Sequence, residues 1–173
     1  LVASYMIPPY VGAIAWTQLL NPDVGYLNAL LKTIFSLSKA PFNIYTEGGL
    51  IWVLTLFYSP FAFITISRAM EKMDPTLEEA SRVSGASPLR VLWDVTLPLM
   101  APSILAGGLL VFIGAGSAFG IPAIVGMPGN IEVLTTRIVS FVYMGNDSGI
   151  RNATTLAVSL MILANGLLFF MTW

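Results

Sequence analysis

Cysteine and histidine are both absent from the 173 residues. Without cysteine there are no disulfides and no thiolate chemistry, and without histidine the commonest general base and metal ligand is missing. Charge is scarce as well: 10% of the residues are charged, against about 25% in soluble domains. A soluble domain of this length needs polar side chains to cover its surface. Here 56% of the residues are hydrophobic and the mean hydropathy is +0.81, so most of the surface is expected to meet lipid. A net charge of −1 leaves no electrostatic basis for nucleic acid. No Gly-x4-Gly-Lys-Ser/Thr loop is present to cradle nucleotide phosphates. The carboxylates outside one charged segment stand alone at Asp23, Glu47, Glu132 and Asp147, with no nucleophile in a pattern that suggests an enzyme. No cofactor and no metal site are expected on this chain.

Charge-free windows at 1–22, 48–67, 95–131 and 152–173 place the apolar segments. A spanning helix needs about 20 apolar residues, which predicts four spans at about 3–20, 49–69, 98–118 and 153–173. The expected fold is all-α, a polytopic helical bundle forming a single transmembrane domain over 1–173. The chain opens at Leu1 and closes at Trp173 inside apolar runs, with no leader or cleavage site, so it is expected to be a piece of a longer polypeptide. Short helices are predicted beside the spans. In 26–38, Leu27, Leu30, Leu31, Ile34 and Leu37 share one helical face, and 131–144 reads as a second short helix. Between them, 114–130 holds five glycines and two prolines, which rules against an unbroken helix. It is either irregular backbone buried at membrane depth or a long external loop.

Half of the charge is gathered in one place. Five of the nine acidic residues and four of the eight basic ones lie between Arg68 and Asp94. Asp74-Pro75 is a helix start, with a capping oxygen followed by proline at the first helical position. Gly85 is a stop suited to a left-handed cap. Ser87-Pro88 starts a second helix, and Pro98 is expected to end it. The segment 70–97 therefore predicts a helix, a glycine bend and a helix. Glu78 and Arg82 are spaced to pair across one turn. If this segment is cytoplasmic, the connections 21–47 and 119–151 lie outside, an orientation that the positive-inside rule mildly favours.

The residues of 79–98 carry a resemblance. Glu79, Ala80, Ser81, Gly85, Val95, Leu97 and Pro98 fit the spacing of the EAA motif of ATP-binding cassette importer permeases, in which Glu-Ala-Ala, three residues, Gly, nine residues and an aliphatic-x-Leu-Pro end follow in order. Two positions depart, with Ser81 for alanine and Val95 for isoleucine. The resemblance implies the type I importer permease fold in a bacterial inner membrane, with 70–97 as the cytoplasmic coupling loop. It also implies cytoplasmic ATPase subunits, a second permease half and an external solute-binding protein as partners. The stretch 118–142 resembles the ferric-iron branch of these permeases, to which putrescine, thiamine and phosphonate permeases are related, so ferric iron or a related small solute is the expected cargo.

Candidate passage or gate residues are Gly116, Ser117, Gly120, Pro122, Gly126 and Pro128 from the broken segment, together with Asn165 in the last span, where an amide is costly to face lipid. Apart from Arg68 at the end of the second, the spans hold no Asp, Glu, Lys or Arg, which disfavours an ion-driven carrier. That carrier, and a membrane anchor that recruits a cytoplasmic partner without moving solute, are the alternatives.

Overall fold

The computed structural model describes the backbone of residues 7–172 and the side chains of residues 7–169. Helix α1 (Pro9–Leu20) is followed by α2 (Tyr26–Phe35), α3 (Glu47–Glu71) and α4 (Pro75–Val83). Then come α5 (Pro88–Gly116), two short turns over Pro122–Gly126 and Met127–Gly129, α6 (Leu134–Tyr143) and α7 (Asp147–Thr172). Among the described residues there is no strand.

Three of these helices, α3, α5 and α7, are long and apolar enough to cross a membrane. The expected fourth span, 3–20, is not among them. Its described part, α1, has 12 residues, about 18 Å of helix against a hydrocarbon core of about 30 Å, and residues 1–6 lie outside the described ones. The span expected at 49–69 runs from Glu47, capped by the Thr46 hydroxyl accepting from the Gly49 N–H, to Glu71. The span expected at 153–173 begins earlier, at Asp147, and Trp173 lies outside the described residues.

The third span also departs from expectation: Pro98 does not end the helix that begins at Pro88. The helix passes through one wide turn, Leu92–Thr96, in which the Leu97 N–H donates to the Leu92 carbonyl five residues back. In a regular turn, proline lacks the N–H for the carbonyl four residues back and its ring collides with it. The wide turn opens that spacing, so α5 runs on to Gly116 as one helix of 29 residues.

Helix α5 packs along α3, α6 packs on α7, and α7 makes a smaller contact with α5. Between lipid-immersed helices the hydrophobic effect is weak, and close backbone packing takes over. Glycines of α5 let the α3·α5 seam close: a Cβ on Gly107 would sit 3.2 Å from the Ala62 Cα, and one on Gly114 would meet the Tyr58 ring. A separate core joins α1 and α3 to the segment after α5. Ala13, Leu50, Val53, Phe57, Ile121 and Val125 are all buried there, with Ile44 from the loop before α3. Within the glycine-rich stretch 114–130, Ala118, Ile121, Pro122, Val125 and Gly126 are buried, whereas Gly116, Ser117, Phe119, Met127, Pro128 and Asn130 are exposed. Its wide turn Pro122–Gly126 packs between α1 and α3.

Helix α2 turns most of its leucine face outward, with Leu30 and Ile34 exposed, and buries Asn28 instead. The Asn28 amide nitrogen donates to the carbonyls of Asn21 and Phe42, and its oxygen accepts from the Phe42 N–H. That one side chain ties α2 to the loops on either side of it.

Candidate functional site

The charged segment forms a two-limbed elbow. Asp74 caps α4 by accepting from both the N–H and the hydroxyl of Thr76 at 2.9 and 2.8 Å. These bonds hold the Asp74 carboxyl below its usual range. At the far end Gly85 takes φ +86°, the left-handed conformation. Its N–H donates to the Arg82 carbonyl at 2.9 Å, and the Ala86 N–H reaches back to Ser81 at 3.2 Å. This pair of bonds is a Schellman closure, which satisfies two orphan carbonyls at the end of α4. Ser87 then caps α5, accepting from the Arg90 N–H.

Of the motif residues, Glu79 and Ala80 are exposed on α4, Ser81 is half-buried and Gly85 stands at the bend. Ser81 and Gly85 come together with Ser84, Ala86, Arg90 and Asp94 around a polar concavity of about 330 Å³. Val95, Leu97 and Pro98 lie apart from these, in the second limb at the wide turn. Among the described residues Glu79 makes no ion pair, while Glu78 reaches Arg82 at 3.7 Å and Asp94 reaches Arg90 at 3.1 Å. Arg82, Arg90 and Asp94 are largely exposed, Glu78 less so, and both pairs contribute little. Apolar side chains line the outside of the bend: Val83 is 88% exposed, Leu89 67% and Trp93 63%.

One connection was not legible in the motif. The Thr96 hydroxyl, buried in the wide turn, donates to the Glu78 carboxylate at 2.7 Å and joins the two limbs across 18 residues. The motif treats position 96 as free, and the Glu78–Arg82 spacing pointed elsewhere. The available signal was a β-branched hydroxyl two residues before a proline in an otherwise apolar run.

The passage candidates do not gather into one lining. Gly116 and Ser117 are exposed at the end of α5, where the Ser117 hydroxyl donates to the Ile113 carbonyl at 2.6 Å. They border an apolar groove shared with Leu134, Leu160 and Ala164. Gly120 packs on Tyr10, with room for a Cβ only 3.1 Å from the Tyr10 Cβ. Pro122 and Gly126 are buried in the α1·α3 core, and Pro128 is exposed in the last short turn. Asn165 is exposed on α7, its amide donating to the Met161 carbonyl of its own helix at 2.8 Å. It does not point into the bundle of this chain. Thr135 of α6, not foreseen, is buried and donates to the Ala118 carbonyl at 2.6 Å, pinning the break between α5 and the wide turn.

The profile of the family described as "Binding-protein-dependent transport system inner membrane component" matches residues 1–172. The putative ferric transport system permease protein FbpB 1 of Haemophilus influenzae is 27% identical over 161 residues, covering 93% of this chain and 25% of the relative. The putative 2-aminoethylphosphonate transport system permease protein PhnU of Salmonella typhimurium is 26% identical over 162 residues, covering 93% of this chain and 55% of the relative. The chain thus spans about a quarter to a little over half the length of these relatives. Among solved structures, a bacterial alginate ABC transporter in complex with alginate pentasaccharide-bound periplasmic protein superposes with a TM-score of 0.75. The match has 20% identity and covers 97% of this chain and 60% of that one. That likeness establishes the fold.

Proposed function

Because the chain belongs to the family of binding-protein-dependent transport system inner membrane components, we propose that it couples a cytoplasmic ATPase to solute movement through the elbow of α4 and the first turns of α5. The observation that carries this reading is the construction of the elbow. It is capped at Asp74, closed at Gly85 and bonded from Thr96 to Glu78, and it presents exposed Val83, Leu89 and Trp93 together with Glu79, which has no ion pair among the described residues. A preformed apolar surface with one free acid suits docking into a groove on another protein. The central stretches of the spans, 48–67, 95–116 and 152–169, hold no Asp, Glu, Lys or Arg, which favours energy supplied from outside the membrane segments. A second permease half completes the passage, an external binding protein delivers the solute, and the elbow faces the cytoplasm of a bacterial inner membrane.

For the cargo we propose ferric iron or a related small solute. The supports are the Gly120–Ile124 and Leu134–Arg137 stretches and the similarity to a relative named for ferric transport. A relative named for 2-aminoethylphosphonate matches over the same share of this chain, so uptake of both solutes has to be compared.

The test uses the full-length parent in vesicles, with ATP and the ATPase on the elbow side and the binding protein on the other. Glu79→Lys and Gly85→Pro are expected to release the ATPase on purification and to stop uptake. Uptake that persists after the ATPase is lost would refute the coupling role and restore an ion-driven carrier.

A further inference from the structure

A concavity of about 380 Å³ opens between the last turns of α3 and the middle of α5, lined by Ile64, Thr65, Arg68, Ala69, Lys72 and Ser103. Arg68 and Lys72 are one turn apart on the same face, an arrangement of like charges that repels. The other two cations of the charged segment, Arg82 and Arg90, are held by Glu78 and Asp94. Among the described residues no carboxylate lies within ion-pair distance of Arg68 or Lys72, although Glu71 sits between them in sequence. On the opposite wall the Ser103 hydroxyl has no hydrogen-bond partner among the described residues, whereas Thr65 already donates to the Phe61 carbonyl. Two unopposed cations and one spare hydroxyl therefore face a single recess.

The depth of the recess is informative. Glu47, the first charge of α3, and Arg68 lie 21 positions apart on one continuous helix, a rise of about 32 Å. That matches a hydrocarbon core of about 30 Å, so Arg68 stands at headgroup level when Glu47 stands at the other face. Lys72 lies a turn further into water. An anion in the recess would relieve the repulsion between the two cations and satisfy Ser103.

We propose that this recess binds a phosphate-bearing anion, supplied by the headgroup of an anionic phospholipid in the leaflet on the elbow side. Arg68 and Lys72 contact the phosphate oxygens and the Ser103 hydroxyl donates a third bond. The site stands beside the two helices that carry the elbow, yet it uses none of the motif residues. It rests on the membrane placement of α3 and not on the coupling role.

The full-length parent is reconstituted in vesicles of equal parts phosphatidylcholine and phosphatidylglycerol, extracted mildly, and the retained lipids are counted by native mass spectrometry. Wild type is expected to retain phosphatidylglycerol selectively. Each cation is worth about a fivefold preference, so Arg68→Gln with Lys72→Gln is expected to abolish an enrichment of about 25-fold. Arg68→Lys keeps most of it, and Lys39→Gln, on another connection, changes nothing. All three positions are exposed, so folding is not at stake. Equal retention of the two lipids by wild type, or selectivity that survives the double substitution, would overturn the site. Displacement of the lipid by inorganic phosphate, at an ionic strength matched with chloride, would overturn the lipid as its source. Neither ATPase nor solute enters the readout, so this result and the coupling test fail independently.

Discussion

Gly85 and Thr96 hold the elbow by different physics. At Gly85 a Cβ would meet nothing within 4 Å, so Gly85→Ala costs only the left-handed backbone, about 1 kcal/mol. The expected result is faster hydrogen exchange at Gly85 and Ala86 with the rest of α4 little changed. At Thr96 the hydroxyl itself matters. Thr96→Val keeps the shape and removes the bond to Glu78, which should weaken the joint by about 1 kcal/mol. The measurement is hydrogen exchange over Pro75–Val83, which should rise severalfold. Exchange that stays at the wild-type rate would mean that the Schellman closure alone fixes the limb. Asp74 adds a pH dependence. Its folded carboxyl titrates below the unfolded one, so its capping contribution is fully present above the unfolded value and is lost as pH falls through the folded one. The first turn of α4 is therefore expected to be unchanged from neutral pH down to the carboxylate range and to fray only in stronger acid. Asp74→Ala should fray it at neutral pH, while Asp74→Asn, which keeps an acceptor oxygen, should not.

Among the elements, α5 carries the clearest test. Pro98→Ala restores the missing donor and removes the ring, so the wide turn can tighten to regular helix. Exchange across Leu92–Leu97 is expected to slow, while uptake falls with the ATPase still attached. A wide turn that persists without proline would show that the Thr96–Glu78 bond holds it open. Local chemistry was readable in the sequence wherever a residue acts on its own neighbours. The caps at Asp74 and Ser87 and the bend at Gly85 fall where the side chains indicated. Pro98 was misjudged because its consequence depends on whether the preceding turn can widen, which a neighbour rule does not contain. Asn28 was overlooked because the leucines of α2 drew the face, yet its partner at Phe42 is 14 residues away. The burial of Pro122 and Gly126 was undecidable for the same reason: their neighbours come from α1 and α3. The seven passage candidates were chosen by residue type alone, and residue type does not say which of them share a wall.

For the whole molecule, burial is uneven across the spans. In the most apolar stretch of each, 22% is buried in α3 but 6% in α7. Met161, Ile162 and Leu163 of α7 are all more than half exposed. Lipid alone satisfies such a face, but so would the second permease half proposed above. This stretch has no cysteine, so single cysteines report without background from it. Met161→Cys in the parent is expected to cross-link to the other half on oxidation; labelling only by a lipid-borne probe would assign α7 to the bilayer.

The close approach of Gly107 to Ala62 has a kinematic consequence. At that point there is no side-chain layer in which to slide, and further along the seam the Tyr58 ring fits against Gly114, so α3 and α5 are expected to move as one body. The Thr96 bond then adds α4 to that body. The described chain is therefore expected to have fewer independent degrees of freedom than helices, with relative motion concentrated where this body meets its surroundings.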